Sequence, residues 1–210
     1  MVIACLVSIM KVFGINMDRN LESYIKVYDN WLEADKCKQT IVEMEDAQWQ
    51  QHTFYNAQNG TYSTQSGNRE LDVAYGNIST KKYVMQRIWD AYQRYLTDLN
   101  FPWFGSWKGF TEVRFNRYSE DRLMALHCDH IHSLFDGERK GIPTMTCLSI
   151  LNEDYEGGEL QIHLNDNPDV MKKEQGTVVA FPSPTLHEVT PVTKGKRYSL
   201  VGWITGKPFK

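Results

Sequence analysis

The chain has 210 residues, enough for one domain with a sizeable core. Its 41% hydrophobic and 23% charged content is that of a globular protein, which excludes a disordered, collagen-like or mucin-like chain. A net charge of −3 and a pI near 6.1 speak against a dedicated nucleic-acid binder, which needs basic surface to neutralise phosphates.

The first ten residues are almost wholly apolar, and Lys11 ends the run. No basic residue precedes it, no small-residue cleavage site stands out, and it is too short to span a bilayer. It reads as a packed segment or an upstream extension, with a targeting signal the less favoured alternative. Residues 1–23 are therefore expected to be an N-terminal extension and residues 24–210 a single domain. The cysteines (Cys5, Cys37, Cys128 and Cys147) are scattered and form no CxxC clamp, which predicts free thiols and a cytoplasmic, reducing location with no membrane association.

Ile25, Val27 and Trp31 suggest a short strand running into a turn. Residues 32–47 place Leu32, Cys37, Ile41, Val42 and Met44 at spacings that predict an amphipathic helix. Residues 50–68 are nearly all polar with Phe54 among them, and no helical period survives. A structureless stretch of that length suggests a lid or binding loop, or else a plain insertion. A second helix is predicted over residues 80–99, where Tyr83, Val84, Ile88, Trp89, Tyr92, Tyr95, Leu96 and Leu99 form one stripe. Pro102 and Gly105 break it. From residue 110 onward short apolar runs recur at 110–115, 124–128, 145–151, 160–164, 177–181 and 198–203. Strands that short, separated by turn residues, predict a sandwich, barrel or jelly roll. The fold class is α+β, with helices from the N-terminal half packed on a β-core.

The triplet His127-Cys128-Asp129 lies in one of these strand-like runs, where alternate residues share a face. His187, in the turn-rich segment FPSPTLHEV, offers a second imidazole. Two imidazoles and one carboxylate form the facial triad that holds non-haem Fe(II) with positions left open. Arg197 follows ten residues later, and a guanidinium can grip a carboxylate with two parallel hydrogen bonds. Cys128, His130 and His132 form a competing set for zinc, but a closed zinc site wants a fourth ligand and none is evident.

The triplet HCD, the segments TCLSILNEDYEGGEL (residues 146–160) and GTVVAFPSPTLHEV (176–189), GKRYSLVGW (195–203) and the opening IKVYDNWL (25–32) together resemble the prolyl-hydroxylase branch of the 2-oxoglutarate- and Fe(II)-dependent dioxygenases. The resemblance runs from Ile25 to Trp203. It implies a double-stranded β-helix, the cupin-like jelly roll, with supporting N-terminal helices. It implies Fe(II), 2-oxoglutarate and O2, with ascorbate as a reductant and succinate and CO2 as co-products. By position His127, Asp129 and His187 are then the iron ligands and Arg197 the 2-oxoglutarate anchor. Tyr118, Thr146 and Leu148 join Arg197 in the co-substrate pocket, and Trp203 lies near the substrate proline. Arg197 stands where collagen-type enzymes carry Lys. Ile150 stands where the oxygen-sensing enzymes carry a second tyrosine. Retention of Asp129 favours hydroxylation over halogenation.

The resemblance points to a proline in a protein or peptide as substrate. Tyr55 and Tyr62 of the polar segment, and Arg139 of the loop after the HxD triplet, are expected contacts for it. Trp203 occupies the position where nucleic-acid demethylases of the superfamily carry a second arginine, so DNA and RNA are not expected partners. A hydroxylase of a free amino acid or small metabolite, and a non-catalytic iron- or 2-oxoglutarate-binding module, are the alternatives.

Overall fold

The computed structural model describes residues 21–56, 60–99, 109–129, 142–165 and 167–206. Residues 1–20 of the expected N-terminal extension (1–23), and His130, His132 and Arg139, fall outside them. The elements run β1 (Lys26–Tyr28), α1 (Ala34–Met44), β2 (Gln50–Gln51), β3 (Phe54–Asn56), β4 (Thr61–Ser63), β5 (Asp72–Ala74), α2 (Lys81–Leu99), β6 (Gly109–Phe110), β7 (Arg114–Tyr118) and β8 (Met124–His127). Then come β9 (Ile142–Ile150), β10 (Glu156–Gly157), β11 (Leu160–His163), β12 (Asp169–Val170), β13 (Val178–Pro182), β14 (Leu186–Val189), β15 (Val192–Lys194) and β16 (Arg197–Gly206).

Two antiparallel sheets carry the architecture. The larger has the order β1-β13-β9-β16-β7-β5-β2 with β6 added to β16, and the smaller has the order β12-β11-β14-β8. Strand alternation divides the interior into two cores. Met145, Cys147, Val178, Ala180, Leu200 and Ile204 project from the large sheet into one core with α1 and α2. Leu148, Ile150, Val179, Phe181 and Tyr118 project into the other, where Leu160, Ile162 and Val189 of the small sheet meet them. This is a double-stranded β-helix with helices on the outer face of its large sheet.

The stripe of α2 packs as its period requires, with Val84, Ile88, Ala91, Tyr92 and Tyr95 buried. At about 1.5–3 kcal/mol for each large apolar side chain removed from water, this face anchors the helix. The Tyr92 hydroxyl donates to the Gly202 carbonyl and the Tyr95 hydroxyl to that of Tyr24, so both aromatics are core residues with satisfied polar tips. The first helix is shorter than its pattern: it ends at Met44, and Val42 is 65% exposed because Cys37, Thr40 and Met44 form the packed face.

Three sequence expectations are corrected. The polar segment is a pairing element as well as a connection: β2 joins the large sheet through β5, and β3 and β4 form a hairpin around Gly60, whose φ is +67°. Phe54 anchors the hairpin in the inter-sheet core. The run 110–115 is divided between β6 and β7. The strand carrying His127 ends there, so Asp129 lies beyond it.

Gly176 ties the N-terminal strand to this frame. Its φ is +81°, its N–H donates to the Ile150 carbonyl, and its carbonyl accepts from the N–H groups of Trp31 and Leu32. A Cβ there would run into the Leu32 carbonyl. Gly176→Ala is expected to lower stability by at least the ~1–2 kcal/mol cost of a left-handed non-glycine residue. Denaturant unfolding reads this as a lower midpoint at unchanged slope, and an unchanged midpoint would contradict it.

Candidate metal centre and its cleft

The small sheet delivers both imidazoles. In the antiparallel pairing of β8 with β14, His127 lies directly opposite His187, and the ring centroids are 4.3 Å apart. A register shift follows at once, between His187 and Val189. Asp129 is fixed beyond the end of β8 by its backbone N–H, which donates to the Ser183 carbonyl at 2.9 Å. One ligand atom from each of His127, Asp129 and His187 then lies within 4.8 Å of the others. Asp129 Oδ1 is 3.5 Å from His127 Nε2, and Oδ2 is 3.8 Å from His187 Nε2.

Hydrogen bonds define which nitrogen faces the centre. His127 Nδ1 sits 2.8 Å from the Ala125 carbonyl and His187 Nδ1 2.9 Å from the Thr185 carbonyl. A carbonyl only accepts, so Nδ1 carries the proton in each ring and Nε2 of the neutral ring presents its lone pair. This is how metal-ligating histidines are oriented. Burial pushes the His187 imidazolium down to about 4, against the pull of the Asp129 charge. Burial alone would raise the Asp129 carboxyl, but hydrogen bonding and charge from His127, the charge of His187 and the Thr146 hydroxyl hold it well below the usual carboxylate range. At neutral pH Asp129 is a carboxylate and His187 a neutral imidazole, the forms a metal ion needs.

Thr146, on β9, donates to Asp129 Oδ2 at 2.7 Å, and its oxygen lies 2.8 Å from Ser183 Oγ. It therefore positions the carboxylate as well as lining the cleft. Thr146→Val keeps the shape and removes that bond. The expected result is a ~10–100-fold loss of Fe(II) affinity, the usual cost of losing an outer-shell partner. Anaerobic metal titration checks it, and an undiminished affinity would show that Ser183 alone suffices.

The centre opens into a cleft of about 300 Å³, including its mouth, among whose walls are Tyr118, Leu148, Trp203, Arg114 and Asn116. Arg114, Asn116 and Tyr118 share a face of β7 by strand alternation. Arg197 pairs with Tyr118 across β16 and β7, and its guanidinium lies 4.8 Å from the Tyr118 ring centre. Arg197 is fully buried. Its Nη1 donates to Ser199 Oγ at 2.9 Å, while Nε and Nη2 have no hydrogen-bond partner among the described residues. The loop at Gly158 presses on its stem: a Cβ there would lie 3.0 Å from Arg197 Cδ. A buried cation with two unsatisfied donors is costly unless an anion completes it.

Residues 113–205 match a family model described as the 2OG-Fe(II) oxygenase superfamily. Residues 113–205 are thus similar to that superfamily. The chain is 40% identical over 94 residues to a PKHD-type hydroxylase of Alteromonas mediterranea, covering 43% of this chain and 41% of that protein. It is 38% identical over 97 residues to a PKHD-type hydroxylase of Idiomarina loihiensis, covering 46% and 43%. The chain thus spans about two-fifths of the length of these curated relatives. The fold is similar to a Pseudomonas putida prolyl-4-hydroxylase, with TM-score 0.61, 20% identity and 88% and 93% of the two chains covered. It is also similar to a Trichoplax adhaerens prolyl hydroxylase in complex with a hypoxia inducible factor peptide fragment, with TM-score 0.65, 15% identity and 95% and 91% covered.

The oxygenase family implies Fe(II), 2-oxoglutarate and O2, and the residues present fit them. The donor set is two neutral-capable imidazoles and a carboxylate. The unsatisfied Arg197 donors suit a carboxylate of the co-substrate. Of the remaining sequence-expected residues, Tyr118, Thr146, Leu148 and Trp203 all line the cleft. Tyr62 is 58% exposed and is not among the lining residues. Tyr55 lies on β3, and Arg139 lies outside the described residues. Sequence reasoning missed Phe54, Arg114, Asn116 and Ser183. Phe54 from the polar segment packs edge-on to His127, with centroids 5.5 Å apart. Counting back by two from Tyr118 would have found Asn116 and Arg114. Nothing local marked Ser183. Among the described residues no helix is long and apolar enough to cross a membrane.

Proposed function

We propose that this protein is an Fe(II)- and 2-oxoglutarate-dependent dioxygenase that hydroxylates a prolyl residue in a protein or peptide. The observation that carries the reading is the His127–Asp129–His187 cluster in one cleft, whose wall residue Tyr118 lies against the buried Arg197 guanidinium with its two unsatisfied donors. When bound, iron and 2-oxoglutarate supply the oxidising chemistry: O2 is consumed, the co-substrate leaves as succinate and CO2, and one oxygen atom enters a substrate C–H bond.

In this reading His127, Asp129 and His187 hold the metal. Ala125, Thr185 and Thr146 hold the ligands in their binding forms. Arg197 takes the distal carboxylate of 2-oxoglutarate, with Tyr118 stacked on the guanidinium to keep its plane oriented. Burial pushes the Tyr118 hydroxyl above its usual value while Arg197 pulls the other way, so it is a neutral donor at working pH. Leu148, Val189 and Val201 give the cleft dry walls. Trp203 offers a flat surface for a prolyl ring, and its Nε1–H is buried without a partner among the described residues, ready for a substrate carbonyl. The prolyl-hydroxylase folds that the chain resembles, one of them with a peptide, support the peptidyl substrate.

The test is anaerobic addition of Fe(II) and 2-oxoglutarate to the purified chain, followed by visible absorption. A charge-transfer band that needs both components is expected. Bound iron without a band would overturn the dioxygenase reading and favour a binding module. Turnover of free proline with none on any prolyl peptide would overturn the peptidyl half alone.

A further inference from the structure

The cleft is lined by a guanidinium, that of Arg114, which the reaction outlined above leaves unused. Seven arginines fall within the described residues. Arg69, Arg87, Arg94, Arg117 and Arg122 each donate to a carboxylate or a backbone carbonyl. Arg114 and Arg197 do not; they donate to the side-chain oxygens of Asn116 and Ser199. These two stand on the inner face of adjacent strands, and Tyr118, which lines the cleft with Arg114, lies against Arg197. Arg197 is the buried one and has the co-substrate as its partner. Arg114 is half-buried and spans Trp203, with Cζ 5.0 Å from the ring centre.

Its surroundings hold it in place for a ligand. Nε donates to Asn116 Oδ1 at 3.0 Å, and Asn116 is itself buried. The Trp203 face supports the guanidinium plane, so rotation about the long side chain is restrained from two sides. Among the described residues no carboxylate pairs with Arg114, although both ends of the fork remain beyond the one bond at Nε. Among the described residues the only carboxylate lining the same cleft is Asp129, whose Oδ2 is taken by Thr146 and which is assigned to the metal in the reading above. A pre-oriented cation in a cleft, next to the ring that would face the substrate and with no counter-ion of its own, selects for an anion on that substrate.

We propose that Arg114 is a specificity-determining residue that binds a carboxylate of the prime substrate, so that the preferred prolyl group carries an anionic neighbour. The inference rests on the dioxygenase reading and deepens it. The carboxylate has two chemical sources: the side chain of an acidic residue beside the proline, or the α-carboxylate of a terminal or free proline.

The test uses two matched pairs of probes on the iron- and 2-oxoglutarate-loaded chain under anaerobic conditions. One pair is acetyl-Pro-Asp-amide and acetyl-Pro-Asn-amide; the other is L-proline and L-prolinamide. Binding is read by calorimetry and, in air, turnover by succinate release. The wild-type chain should prefer the carboxylate member of at least one pair by roughly 10-fold or more, the usual worth of a charge-assisted hydrogen bond. Which pair shows the preference identifies the source. Arg114→Gln should reduce that preference to within about 3-fold, and Arg114→Lys, which keeps the charge but not the fork, should restore part of it. No preference in wild type, or a preference that survives in Arg114→Gln, overturns the proposal. So does an Arg114→Gln defect confined to the 2-oxoglutarate requirement, which would make Arg114 a co-substrate residue. A charge-transfer band without carboxylate preference overturns this inference alone, whereas loss of the band itself strikes the reading beneath it.

Discussion

His187→Ala is expected to abolish the charge-transfer band that forms with Fe(II) and 2-oxoglutarate in the absence of oxygen. His187 is almost fully buried, its Nδ1 proton is engaged by the Thr185 carbonyl, and its Nε2 lies 3.8 Å from Asp129 Oδ2. Alanine removes one of three ligands, so the loss of iron affinity should exceed the ~10–100-fold cost of losing an outer-shell partner. A second readout is independent of colour. Ligand that binds only the folded chain stabilises it, by ~2.7 kcal/mol at one hundred times its dissociation constant. Wild-type protein should therefore unfold later with Fe(II) than without, and His187→Ala should show no such shift. A band and an iron-dependent shift both retained in the variant would show that the metal sits elsewhere.

Arg197→Met should weaken 2-oxoglutarate binding without weakening the fold. The 2-oxoglutarate requirement should rise by the ~2–5 kcal/mol typical of truncating one member of a desolvated charge pair, roughly 30-fold to several thousand-fold. The ligand-free protein should be at least as stable, with a gain of up to ~4 kcal/mol, because an apolar side chain of similar length replaces a buried cation with two unsatisfied donors. The hydrogen bond to Ser199 and the contact with Tyr118 reduce that gain. The pairing of effects separates a co-substrate anchor from a structural arginine, whose loss would lower stability and leave 2-oxoglutarate affinity alone. Unfolding in the absence of ligand and a 2-oxoglutarate titration decide between them.

Much of the frame was legible in the primary structure because its signals are local. The α2 stripe from Val84 to Tyr95 packs where a period of 3.6 puts it. The runs that became β9, β13 and β16 are apolar on both faces, as strands between a helix layer and a second sheet must be. Boundaries were less legible where tertiary pairing sets them. The polar segment contains little to predict a strand, yet β2 is held by β5, and the β3–β4 hairpin is held by Phe54 reaching the core beside His127. One buried aromatic ring among amides is too weak a periodic signal to show this in advance.

The sequence by itself determined which residue types could hold iron and a dicarboxylate: His127, Asp129, His187 and Arg197 are visible as chemistry and in their order along the chain. Only the tertiary structure decided how they meet. Cross-strand register sets the two imidazoles opposite one another, and the Ser183 carbonyl, more than fifty residues from Asp129, holds that carboxylate in place after its strand has ended. Tertiary structure also decided which of the described arginines lack a carboxylate or backbone-carbonyl partner. A charge's type is written at its own position, but its compensation depends on groups brought near it by folding, and so Arg114 became visible as a site residue only once its neighbours were known.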